Sequence, residues 1–234
     1  MKNIVFILPW VFLMLLSLAT SWMYPQILPE VNLEGLVKEL PGKTLLHSIA
    51  LSFFAGVFST AIGFFLAKRE KPGFWTFLPY LVAPVILGAG LHYFFILLGL
   101  SGTYSGVFFA QILILSPFAF LFFSPFWTYR WKMLESTSLA LGASPFYTFK
   151  KVLLPLAMLP ILTCLFQCFL YSWFDYGLTS IIGEGKVKTL TIFVFQSMKE
   201  GNLFAAAKAS FLLTLPPLIL FWINKKFIFT QIGS

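Results

Sequence analysis

Six stretches of this chain are apolar over lengths near or above the roughly 20 residues that an α-helix needs to cross a bilayer core. They run at about 4–23, 45–67, 74–100, 106–129, 156–182 and 205–223, joined by short polar segments marked by Gly, Pro, Lys or Glu. Of 234 residues 59% are apolar, 30 are Phe and only 10% are charged. A soluble domain with that balance could not cover its surface with polar groups. The prediction is an all-α polytopic membrane protein, one transmembrane domain over 1–234 with six transmembrane helices and a polar loop, 130–155, between helices 4 and 5. The third and fifth stretches exceed a minimal span, so tilt or an extra interfacial turn is expected there.

Charge sets the orientation. With the N-terminus inside, the inner segments carry Lys2, Lys68, Arg69, Lys71, Arg130, Lys132, Lys150, Lys151, Lys225 and Lys226. The outer ones carry Lys38, Lys43, Lys186, Lys188 and Lys199, with Lys208 at a membrane edge. Ten against five is the positive-inside asymmetry, and it puts both termini in the cytoplasm. Most acids fall outside: Glu30, Glu34, Glu39, Glu184 and Glu200. The formal charge of +8 is thus a matter of topology. It is no nucleic-acid footprint, since no polar domain interleaves basic residues with aromatics. The first stretch also fits a signal peptide with Lys2 as its n-region, which would leave five spans and an external N-terminus. Its length, and the lack of a clean small-x-small site, favour retention as a helix.

Several side chains within the spans carry weaker signals. Pro9, Pro79, Pro84, Pro117, Pro125, Pro160, Pro216 and Pro217 lie within or at the ends of spans, as packing features or as hinges. Gly56, Gly63, Gly88 and Gly90 would let helices approach closely. Asp175, near the outer end of the fifth span, is the candidate for the substrate path, or a residue already at the interface. His47 and His92 share the outer half of their spans and fit packing roles, near one another. Gln111 and Gln167 need partners, so they should face other helices or the path. Cys164 and Cys168, at i and i+4, have no His or carboxylate at ligand spacing, so no metal site is expected, and they read as packing residues. No nucleophile, base and acid arrangement emerges. Of the outer segments, 24–44 could hold a short interfacial helix. The apolar stretch from Thr189 needs a home in the bundle or against a partner.

The polar segment between the fourth and fifth stretches has its own local logic. Gly142 suits the left-handed residue that ends a helix. Ser144 followed by Pro145 reads as an N-cap and first helical residue. Phe146, Phe149 and Lys150 then fall at spacings that share a helix face. The prediction is a helix, a sharp turn and a second helix running into Pro155 and the fifth span.

This segment resembles the EAA loop of permease subunits in binding-protein-dependent ABC importers, whose pattern is Glu-Ala-Ala, three residues, Gly, nine residues, Ile-x-Leu-Pro. Here Gly142 is followed by nine residues and then Val152, Leu153, Leu154 and Pro155. The run Leu141-Gly-Ala-Ser-Pro-Phe is similar to iron(III), thiamine and spermidine-type members, as are Phe174-Asp-Tyr-Gly-Leu, Gly183-Glu-Gly-Lys and Thr189-Leu. The resemblance implies a transport subunit of the bacterial inner membrane, with no enzymatic activity and no cofactor of its own. ATP and magnesium would belong to a cytoplasmic ATPase. A second permease copy or paralogue and an external solute-binding protein would complete the assembly. Glu135, Gly142, Ala143, Ser144, Pro145, Phe149 and Pro155 would make the ATPase-coupling element. One departure stands out: the family's Glu falls on Ser136 and its two Ala on Thr137 and Ser138, so Glu135 is one position early, about 100° around a helix. The chain has no phosphate-binding loop of its own, so hydrolysis would lie elsewhere.

Two other classes fit the apolar pattern. An ATPase-independent carrier or channel would need its own energising residues, and no intramembrane carboxylate–basic pair or inverted repeat is evident. A non-transporting scaffold is the third.

Overall fold

The computed structural model describes residues 2–21, 30–31, 42–127 and 129–232. The interfacial helix expected at 24–44 falls almost wholly outside them. The first apolar stretch forms α1, Lys2–Leu18, which ends earlier than the stretch does. Ala19–Ser21 (β1) then leaves the helix and pairs antiparallel with Glu30–Val31 (β2). This two-stranded ribbon is the one departure from helix among the described elements. It gives backbone groups beyond the helix end a partner.

The second stretch is a single helix, α2, Gly42–Arg69. The third is broken into α3, Phe74–Leu81, and α4, Pro84–Leu97. The cause is Pro84, because a residue before proline is pushed out of the α region. Ala83 accordingly has ψ 139° and Val82 ψ 136°. The fourth stretch is α5, Tyr104–Phe123, capped by Thr103, whose hydroxyl accepts from the Gly106 N–H at 3.0 Å. The polar segment supplies α6, Tyr129–Ala140, and α7, Pro145–Thr148. A π-helical turn, Phe149–Leu153, leads into α8, Leu154–Phe174. After a break come α9, Gly177–Ile182, then α10, Leu190–Lys199, and α11, Leu203–Ile232.

Among the described residues, three helices are long and apolar enough to cross a membrane: Gly42–Arg69, Tyr104–Phe123 and the continuous Pro145–Phe174. Leu8–Leu18, Val85–Leu97 and Leu203–Ile219 are shorter apolar helices. The chain is a helical, multi-pass membrane protein. Its centre is α2, packed chiefly against α5 and α8. Gly63 sits so close to Ala119 that any Cβ there would collide with the Ala119 backbone, and Gly56 lies against the backbone of Phe169. Gly88 meets Leu178, whereas Gly90 has open space around it and takes no part in close packing. Lys208, expected at a membrane edge, is buried in α11.

The apolar stretch after Thr189 finds its home inside the bundle. Leu190, Ile192 and Val194 are buried, and α10 packs along α11. The Leu190 N–H donates to the Ser48 hydroxyl on α2 at 2.6 Å, and the Thr191 hydroxyl donates to the Trp173 carbonyl at 2.9 Å.

Candidate functional site

The polar segment folds as a compact helix–turn–helix. Gly142 has φ +88°, a value that costs an L-side chain strain and costs glycine none. Its N–H donates to the Leu139 carbonyl at 3.0 Å, and the Ala143 N–H donates to the Ser138 carbonyl at 3.2 Å. These two bonds are the paired closure of a Schellman turn, which satisfies carbonyls that the end of α6 leaves open. Ser144 then opens α7: its hydroxyl accepts from the Tyr147 N–H at 3.3 Å, and Pro145 takes the first helical position.

The structure divides this segment into an outward and an inward face. Leu141 is 84% exposed, Phe146 73% and Tyr147 56%, whereas Thr148 is 1% exposed. Phe149 does not share the outward face with Phe146, although the spacing suggested it. Its ring stacks on Phe65 at 6.0 Å between centroids and lies 6.4 Å from Phe64, both on α2. The winding from Phe146 to Phe149 is still α, with the Phe149 N–H on the Pro145 carbonyl, so the two rings lie about 60° apart around the helix and α2 covers Phe149 alone. Pro155 explains the π turn, since its ring would clash with the carbonyl four residues back in a regular α-helix. The wider winding accommodates it, and the Leu154 N–H reaches back five residues to the Phe149 carbonyl.

Glu135 is engaged within the chain. Lys68 Nζ, at the end of α2, donates to Glu135 Oε1 at 2.6 Å. The three residues that stand where the resemblance has Glu-Ala-Ala use their hydroxyls locally. Ser136 and Thr137 donate to the Met133 carbonyl at 2.9 and 2.8 Å, and Ser138 lies 3.1 Å from the Thr148 hydroxyl. In the sequence Lys68 counts only as an inner-side cation, and the π turn is not predicted there. Lys68 is 67 residues from Glu135 along the chain, and its one local mark is its place in the last turn of a span. Pro155 was the available sign of the π turn.

Asp175 lies at the break between α8 and α9, which it caps. Its carboxylate accepts from the Leu178 and Thr179 N–H groups at 3.3 and 2.9 Å and from the Thr179 hydroxyl at 2.6 Å. Thr179 passes the connection inward to Gln111 Nε2 at 3.4 Å. Gln111 Oε1 accepts from the Ser172 hydroxyl at 2.6 Å, which itself lies 3.1 Å from the Ser52 hydroxyl. Gln111 is fully buried, so this chain of partners answers its need in the core. Asp175 also borders an open cavity of about 590 Å³ with Gln167, Tyr171 and Tyr176.

At the far end of the bundle a second polar cluster forms on Glu184, whose own φ is +48°. It accepts from the Ser101 hydroxyl at 2.8 Å and from Lys186 Nζ at 3.1 Å, and His92 Nε2 is 3.4 Å away. The Ser101 hydrogen bond, then the Lys186 hydrogen bond and charge, with a smaller contribution from His92, hold its carboxyl below the usual value. The two histidines are not partners: His47 Nδ1 lies 3.3 Å from the Tyr104 hydroxyl. Cys164 and Cys168 are buried and unbridged, with Thr60 Oγ1 4.0 Å from Cys164 Sγ.

No protein-family model matches the chain. Individual proteins do. Over 230 residues it is 29% identical to the 2-aminoethylphosphonate transport system permease protein PhnV of Salmonella typhimurium, covering 92% of this chain and 86% of that protein. The PhnV protein of Salmonella typhi is likewise 29% identical, with 92% and 87% covered. The spermidine/putrescine transport system permease protein PotC of Escherichia coli is 26% identical over 165 residues, 66% of this chain and 62% of that protein. Along most of its length the chain is thus similar to permease proteins of two transport systems, and its helical, multi-pass architecture is that of a membrane permease subunit.

Proposed function

We propose that this permease couples to a separate cytoplasmic ATPase through its helix–turn–helix, in an importer that an external solute-binding protein supplies. The observation that carries this reading is the outward face of Leu141, Phe146 and Tyr147 on a turn locked by the Schellman bonds and the Ser144 cap. An apolar, rigid knob at the end of a membrane bundle suits a cleft on a soluble partner. Within the reading, Gly142, Ala143, Ser144 and Pro145 set the shape of the knob. Phe149 and Pro155 seat it on the bundle, and Glu135 acts from inside the chain. ATP and magnesium are held by the ATPase, and a second permease copy or paralogue completes the path, to which Asp175 contributes. The orientation is that of the positive-inside count, with both termini cytoplasmic. Nucleotide-driven closure of the ATPase pair would move the knob and shift the spans between two packings a few kcal/mol apart.

The test is a mild-detergent pull-down of the chain expressed with its neighbouring genes, followed by an ATPase assay. A co-purifying ATPase that is lost with Gly142→Val is the expected result. A chain that purifies without any nucleotide-hydrolysing partner would count against the reading. Labelled 2-aminoethylphosphonate and spermidine, the solutes in the relatives' names, are the first to offer in uptake assays.

A further inference from the structure

The early position of Glu135 has a structural counterpart. On α6 it brings the carboxylate to Lys68 at the end of α2, while Ser136, one position on, is exposed and bonded to its own helix. Lys68 Nζ also lies 5.6 Å from the centroid of the Trp127 ring. Trp127 is buried, and its indole N–H donates at 3.2 Å to the carbonyl of Phe64, one turn before Lys68 on α2. Three segments therefore meet in one closed set of contacts: the end of α2, the turn before α6, and α6 itself. The pair is only partly exposed, with Lys68 and Glu135 side chains at 33% and 25%. A charge-assisted hydrogen bond and a cation–π contact act on the same ammonium. The Ser138–Thr148 contact ties α6 onward to the start of the π turn.

We propose that Lys68 and Glu135 form a positioning strut, braced by Trp127, that fixes the angle of the helix–turn–helix to α2 and keeps the loop's acid from the partner's surface. This rests on the coupling function proposed above. In this chain the carboxylate works across two helices of one subunit. Displacement of the knob is then delivered to α2, the central helix, as well as to α8.

The strut is tested on the full chain in lipid nanodiscs, with spin labels at Glu70→Cys and Tyr147→Cys and with Cys164 and Cys168 replaced by Ala. The parent should give one narrow distance distribution. Lys68→Gln and Glu135→Gln should each raise the displaced population by roughly fivefold, the scale of a partly exposed ion pair. The reversed pair, Lys68→Glu with Glu135→Lys, should restore part of the narrow distribution, since the ion pair returns without the Trp127 contact, and no loss of fold could do that. Unchanged distributions in both single variants would overturn the strut. So would a reversed pair as broad as the singles, with ATPase co-purification lost in Glu135→Gln, since that places the carboxylate on the partner. The label measurement needs no ATPase, so an unaltered chain that captures none sinks the coupling reading and leaves the strut to be judged separately.

Discussion

Two glycines show how differently one residue type constrains this chain. Gly63 is steric: a side chain there would drive α2 off the Ala119 backbone, and the central packing would have to open. Gly142 is conformational: open space surrounds it, and only its φ of +88° excludes other residues. Gly142→Val should therefore cost about 1–2 kcal/mol of local strain and leave the spans folded. Gly142→Asn, which tolerates the left-handed region, should keep the turn. Comparing thermal unfolding with ATPase capture for the two variants checks this. The prediction fails if Val and Asn behave alike. Caps of this kind are legible in a sequence because their whole chemistry lies within a few residues, as with Ser144 and Pro145. The Lys68–Glu135 pair was not legible, because its two halves lie on helices that only the fold brings together. Phe149 was misplaced for a related reason: spacing groups residues on a helix face, and only the fold shows that α2 covers Phe149 and leaves Phe146 bare.

At the scale of the element, run length located the apolar helices, three of them long enough among the described residues to cross a membrane, but proline and polar chemistry decided where they break. The break before Pro84 follows from proline's demand on its predecessor. The break at Asp175 follows from a carboxylate capping the next helix; sequence reading singled out that acid for another reason. Pro155→Ala removes the clash that motivates the π turn. Regular α winding should return, turning α7 by about 100° and shifting it by about 1.5 Å. Phe149 should then leave its seat against Phe64 and Phe65, so a Phe149→Cys thiol should react faster with maleimide in the Pro155→Ala background than alone. Equal rates would argue against this account of the π turn. Ser48→Ala would orphan the buried Leu190 N–H, with an expected loss of about 1–3 kcal/mol. A melting temperature unmoved by that change would mean α10 is held by its apolar packing and the Thr191–Trp173 bond.

For the whole molecule, the two ends of the bundle differ in their electrostatics. At the Glu184 end a carboxylate is held ionised by Ser101, Lys186 and His92. Because its pKa in the folded chain lies below the unfolded value, its contribution is complete above the ordinary carboxylate range. It is lost as pH falls through the lowered value. The melting temperatures of the unaltered protein and Glu184→Gln should thus differ at pH 7 and converge in acid. A gap that persists at low pH would assign the difference to packing. What remained illegible at this scale is the choice of neighbours: periodicity marks a helix as apolar without saying that α2 sits between α5 and α8.

From Pro145 to Phe174 the chain is unbroken helix across 30 residues, about 45 Å at 1.5 Å each, against a hydrocarbon core of about 30 Å. It begins in the exposed knob and ends at the Asp175 break, the layout of a drive shaft. Under the coupling proposed above, a twist applied at the knob would have one continuous helix along which to reach the polar groups near the other face of the membrane. Beyond the π turn, the place able to absorb that torsion is the break itself, beside the cavity that Asp175, Gln167 and Tyr171 line.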